Sequence, residues 1–165
     1  MFDKLDKLYE HNNWANLQIL DACAPLTDEQ LDGEPQSAAY GSIRSTLLHL
    51  VSAQANYLRL LTLPVEERQS SLDLDYADLR ASVTESGEGL LALARDPSGF
   101  FHESQIRTRD GHHVQPWVVM VQVINHATEH REQIKNMLTG LGIEPPSIDS
   151  WDYGFVTKAL VKIEE

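Results

Sequence analysis

Ile124–Ile134 reads INHATEHREQI, and the step from His126 to His130 decides how the rest of the chain is read. At about 3.6 residues per turn, positions i and i+4 leave a helix on the same side, so two imidazoles here are able to share one ion. Working outward, Val119, Val123, His126, His130, Ile134, Met137 and Leu141 recur at steps of three and four, the repeat of a helix that buries one stripe. Pro116 suits a first turn, and Gly140 and Gly142 supply a stop, so this helix is expected from Pro116 to about Thr139. Both histidines then stand in its buried seam. Unpaired imidazoles facing a core cost on the order of 1–3 kcal/mol each, so something polar must sit opposite. Two arrangements meet that need: hydrogen-bonded core histidines, each with its own partners, or one cation held by both, since paired His on one helical face is a ligand spacing.

Three more long helices are expected upstream. From Phe2 to Pro25, Leu5, Leu8, Asn12, Ala15, Ile19 and Ala22 form one stripe. It is apolar except at Asn12, with Asn16 a turn further on; carboxamides in a seam are either locked to neighbouring helices or turned to a polar pocket. Trp14 reads as a packing residue. Thr27–Tyr40 is a connection with one helical turn at Asp28–Leu31. A second long helix starts at the N-cap Ser42 and stops at Pro64, with Ile43, Leu47, Leu50, Leu58 and Leu61 inward. His49 falls at the edge of that arc, facing either a cleft or water, and spacing alone makes it a boundary histidine. After a charged link at Val65–Ser71, a third helix from about Leu74 to Ala94 turns Leu79, Val83, Leu90 and Leu93 inward, weakened by Gly87 and Gly89.

Asp96–Gly99 breaks that helix. Phe100–Arg107 and His112–Gln115 then flank Arg109-Asp110-Gly111, an Asp-Gly pair suited to the positive φ angles of a tight hairpin turn. Adjacent His112 and His113 point to opposite faces of a strand, and with His102 they read as solvated. Beyond Glu144-Pro145-Pro146, a final helix or tail over Ile148–Lys162 is expected to pack Trp151, Phe155, Val156 and Leu160 back on the body.

The chain of 165 residues fits one domain spanning 1–165. Lys and Arg number 13 against 25 Asp and Glu, a formal charge of -12 that repels a phosphate backbone; nucleic acid is not an expected partner. Acidic Glu66, Glu67, Asp73, Asp75 and Asp78 read as a solvated face, with a docking face as the alternative. No apolar run approaches the roughly 18 residues of a membrane span, and no signal-peptide core follows Met1. Cys23, the one cysteine, has no intrachain partner, in keeping with a reducing compartment. The expectation is a soluble cytoplasmic protein.

Four long helices and a hairpin make an all-α bundle, whose interior is a common place for metal ligands given by facing helices. A closed structural site wants four protein ligands, for which Cys23 and a carboxylate are candidates; three ligands and water make the open, catalytic form.

Asn12-x-Trp14-Ala15-Asn16, Ser45-Thr46-Leu47-Leu48-His49-Leu50, His126-x-x-x-His130-Arg131-x-Gln133 and Gly142-x-x-Pro145-Pro146-x-x-Asp149 together resemble the DinB superfamily, the DinB/YfiT-like metalloenzymes. The resemblance covers nearly the whole chain, and its helix order matches the one read above. It implies an up-down-down-up four-helix bundle, often a homodimer, with a divalent metal on His49, His126 and His130, and so moves His49 from the boundary into the ligand set. Zinc or nickel is the first expectation and iron a further one, since imidazole suits all of them. Some relatives are thiol-dependent S-transferases or isomerases that use low-molecular-weight thiols, so the resemblance implies an enzyme acting on a small molecule with thiol or water activated at the metal. Asn12, Asn16 and Tyr57 are candidates for orienting ligands from outside.

Two other functions compete. His126-Ala127-Thr128-Glu129-His130 matches H-x-x-E-H, a metallopeptidase pattern in which Glu129 would be the general base of a hydrolase; a solvated helix Glu is the plainer account. The third is a non-catalytic dimerisation or ligand-binding module.

Overall fold

The computed structural model describes residues 5–34, 41–68, 74–96, 98, 100 and 105–163. Its long helices are α1 (Leu5–Cys23), α3 (Ile43–Thr62), α4 (Leu79–Arg95) and α5 (Pro116–Gly140), with short α2 (Asp28–Asp32) and α6 (Ser150–Val156). Local chemistry explains where they start. Thr27 and Gln30 form a reciprocal capping box on α2, the Ser42 hydroxyl accepts the Ser45 N–H at the head of α3, and Pro116 opens α5.

Side-chain pairs set the direction of each helix. Gln54 of α3 donates to the Val83 carbonyl and Ser86 Oγ of α4, and a turn later Leu58 lies against Gly89, so these two helices run parallel. Glu10 with Arg95 and Asp21 with Arg80 make α1 antiparallel to α4. Tyr9 donates to the Met120 carbonyl while Asn12 and Asn16 accept from Arg131, so α1 and α5 are parallel. Ile43 and Leu47 share a core with Ile134 and Leu138, whereas Leu61 meets Val119 and Val123; α3 and α5 are therefore antiparallel. The result is the expected all-α, up-down-down-up bundle.

That core is in two parts with a polar layer between them. One apolar cluster holds Ile19, Leu47, Val83 and Ile134, the other Tyr9, Leu61, Leu90 and Val123. Asn12, Asn16, Gln54, Ser86 and Arg131 are all buried between. Arg131 Nη1 donates to Asn12 Oδ1 at 2.8 Å and Asn16 Oδ1 at 2.7 Å, and its Nη2 to Thr128 Oγ1 at 3.0 Å. Gln54 Oε1 accepts from both asparagines. The seam carboxamides are thus locked to neighbouring helices.

Several boundaries and faces differ from the sequence expectation. Leu5 and Leu8 are 44% and 54% exposed; α1 instead buries Tyr9, Asn12, Asn16, Ile19 and Cys23, a stripe rotated toward the Tyr9–Met120 hydrogen bond. Leu141, expected inward, is exposed. Helix α4 begins at Leu79, later than expected, because a 3-10 turn at Tyr76–Asp78 capped by Asp75 precedes it. Gly87 and Gly89 do not interrupt α4: a Cβ there would stand 2.7 Å from Asn13 Oδ1 and 2.6 Å from Leu58 Cδ2, so they are where α1 and α3 come closest to it.

The hairpin is shorter than expected, β1 (Ile106–Arg107) pairing with β2 (His113–Val114). Its turn carries positive φ at Gly111 and not at Asp110. The Gly111 N–H bonds the Thr108 carbonyl, and the Thr108 N–H bonds that of His112, a turn closed by a bulge instead of a two-residue loop. His112 and His113 are exposed as expected. The tail departs most: Trp151, Phe155 and Val156 are 69%, 58% and 63% exposed, while Ile148 at its start is buried in the core and Tyr153 packs its ring on His11 and Trp14. His102, Asp73 and the helix start at Phe2 lie outside the described residues. Among those described, no helix is long and apolar enough to cross a membrane.

Candidate metal centre

Helix α5 carries His126 and His130 on one edge, and the antiparallel α3 brings His49 across to them. The three Nε2 atoms converge. His49 Nε2 lies 3.0 Å and His130 Nε2 3.1 Å from His126 Nε2, and the ring centroids are 4.3 to 4.9 Å apart. Among the described residues these three are the group of His, Cys, Asp or Glu side chains whose ligand atoms come close enough to hold an ion.

The two histidines of α5 are not at the centre of the buried seam, as their spacing suggests. They are half-buried, while Ala127 and Arg131 occupy the buried positions. His49 is exposed, at the boundary where its own helix places it, but the packing of α3 on α5 puts α5 beside that boundary. Cys23 is in the apolar core with Leu31 and Leu79, its thiol pushed up to about 12 by burial, and takes no part in the group.

Electrostatics favours neutral rings at His126 and His49. Burial, and then the nearby His130 and His49 rings, hold His126 down to about 4; burial and His130 lower His49 as well. Neutral imidazole is the ligand form. A neutral His126 Nε2 offers either one proton or one lone pair to two other nitrogens, so the ring protons cannot give each contact a hydrogen bond of its own. Two nitrogens about 2.1 Å from one ion lie about 3.0–3.4 Å apart at angles of roughly 90–109°, and both observed separations match. The donor set fits a divalent transition metal, with three protein ligands and room for another.

Around the rings, Tyr57 stands edge-on to His126 with centroids 5.7 Å apart. Asn12 and Asn16 are in the polar layer, bonded to Arg131 and Gln54 and to none of the three rings. Glu129 is exposed and lies outside the histidine group, lining with Glu132, Asn136 and Pro145 a cleft of about 350 Å³ on the flank of α5. Two residues given no role from sequence matter here. Gln133 Oε1 sits 2.7 Å from His130 Nδ1, a contact whose signal was its position three residues, one turn, beyond a histidine. Arg131 ties α5 to α1; nothing in an HR dipeptide distinguishes a buried arginine from a solvated one.

Bundle and site together define a helical protein with a three-histidine group that could hold a metal ion. A family model described as the DinB family matches residues 1–164, and the chain belongs to that family. It is 25% identical over 169 residues, 96% of this chain and 98% of the other, to Protein DinB of Bacillus subtilis strain 168. The fold is similar to the crystal structure of a chain assigned to the DinB family from Exiguobacterium sibiricum 255-15, with a TM-score of 0.66 and 19% identity over 86% of this chain and 94% of that one.

Proposed function

We propose that this protein is a divalent-metal-dependent enzyme acting on a small molecule, and within that class a thiol-dependent S-transferase. The observation that carries the reading is the convergence of three Nε2 atoms with separations of 3.0 and 3.1 Å on a partly exposed surface. His49, His126 and His130 would hold zinc or nickel, with iron as a further candidate. A divalent ion there supplies a lowered pKa to a coordinated thiol or water. The chain's own part is to hold His126 and His49 neutral, burial being the first cause at both, and to keep the group at the protein surface. Glu129 in the flank cleft favours a nucleophile brought by a thiol cosubstrate over water deprotonated by that carboxylate.

A homodimer and a cytoplasmic location belong to the same proposal. Leu5 and Leu8 on α1 and Trp117, Val118 and Val121 on α5 are exposed at the same end of two parallel helices, which supports self-association through them. The decisive experiment is metal analysis of protein purified without an affinity tag, followed by His49→Ala, His126→Ala and His130→Ala. About one metal per chain is expected, with each variant losing more affinity than the roughly 100-fold that removal of an outer partner costs. Stoichiometric metal retained by all three variants would eliminate the site. Metal-dependent adduct formation between low-molecular-weight thiols and an electrophile then tests the transferase assignment.

A further inference from the structure

We propose that Gln133 is a positioning residue that selects the tautomer of His130 and so aims an unprotonated Nε2 into the histidine group; this rests on the metal-centre reading above. Gln133 Oε1 is 2.7 Å from His130 Nδ1. A carboxamide oxygen accepts and cannot donate, so Nδ1 carries the hydrogen. A neutral imidazole has one such proton, which leaves Nε2 with a free lone pair, and that atom is the one 3.1 Å from His126 Nε2. The other two rings lack this anchor. Among the described residues, the hydrogen-bond partners of His49 and His126 are other Nε2 atoms of the group, and His126 is steadied by the edge-on Tyr57 ring instead. The tautomer is therefore specified at one ring of the three. Without Gln133, His130 is free to carry its proton on Nε2, where it blocks a cation.

Two measurements on the whole chain test this. In metal-free protein, the 15N shifts of the His130 ring near pH 8 should report the Nδ1–H tautomer, moving toward Nε2–H in Gln133→Leu. In competition with a chromophoric chelator, Gln133→Leu should bind zinc about 10–100-fold more weakly than the unsubstituted protein, with recovery in Gln133→Glu, whose carboxylate also accepts from Nδ1. The thermal midpoint of the metal-free variants should not move. An Nε2–H tautomer in the unsubstituted protein, or a Gln133→Leu variant that binds zinc as tightly as the original, overturns the assignment. Zinc bound by neither protein, with a tautomer that still follows residue 133, would sink the metal reading and uphold the role of Gln133 in setting the ring.

Discussion

Adjacent residues of α5 serve two polar clusters built on opposite principles. Around Arg131, three hydrogen bonds reach Asn12, Asn16 and Thr128, the asparagines in turn donate to Gln54, and Gln54 donates to α4. Each of these donors ends on an acceptor. Around His126, a single Nε2 that offers one proton or one lone pair faces two other ring nitrogens. The first cluster is closed on itself and the second is not. A polar group that the protein completes by itself holds helices in register; one that it leaves incomplete is a place for a ligand.

The largest effect should come from breaking the closed cluster. Arg131→Met leaves two buried carboxamide oxygens without their donor and is expected to cost about 3–5 kcal/mol, the scale for removing one member of a buried charged network. Urea unfolding measures it, and zinc stoichiometry of the folded fraction should be kept; a variant as stable as the original would deny the polar layer its structural role. The open cluster should behave in the reverse way. Free zinc at 100 times Kd should raise stability by about 2.7 kcal/mol, and chelation should reverse it, with both effects absent in His126→Ala. Equal denaturation midpoints with and without zinc would remove the contrast.

A third expected effect is a pH slope. His126 titrates near 6.5 when unfolded and is held down to about 4 in the folded, metal-free protein. Between those values the unfolded chain binds more protons, so stability falls as pH falls through this window. Arg131, lowered by burial to about 10, stays charged throughout it and contributes no slope. The difference in urea midpoint between chelator-treated protein and His126→Asn should therefore change from pH 7 to pH 4. A constant difference would show that the ring is as easily protonated folded as unfolded.

Comparing the two clusters also shows what was readable in advance. Ser42, Pro64, Pro116 and the Gly140–Gly142 pair mark helix ends by local backbone chemistry, and α3 and α5 fall where those signals put them. Spacing does not fix the rotation of α1, because Leu5 and Leu8 fit a helical stripe as well as Tyr9 and Cys23 do; the buried stripe is the one that lets Tyr9 reach Met120, 111 positions away. Gly87 and Gly89 look like weak points until Asn13 and Leu58 are seen against them. Trp151, Phe155 and Val156 look like packing residues only while nothing shows that the tail touches α1 through Tyr153 alone among its aromatic rings.

By itself the sequence determined the four-helix class, the four-residue step that sets His126 beside His130, and, through motif resemblance, the identity of the third histidine. These follow from interactions within a turn or two of helix, or from patterns spread along the chain. The tertiary structure alone decided that His49 reaches the pair and that Arg131 lies in the core while its histidine neighbours lie at the rim. Each of those depends on how far one helix is turned against the next, a rotation set by the packing of the whole bundle and by no single segment of it.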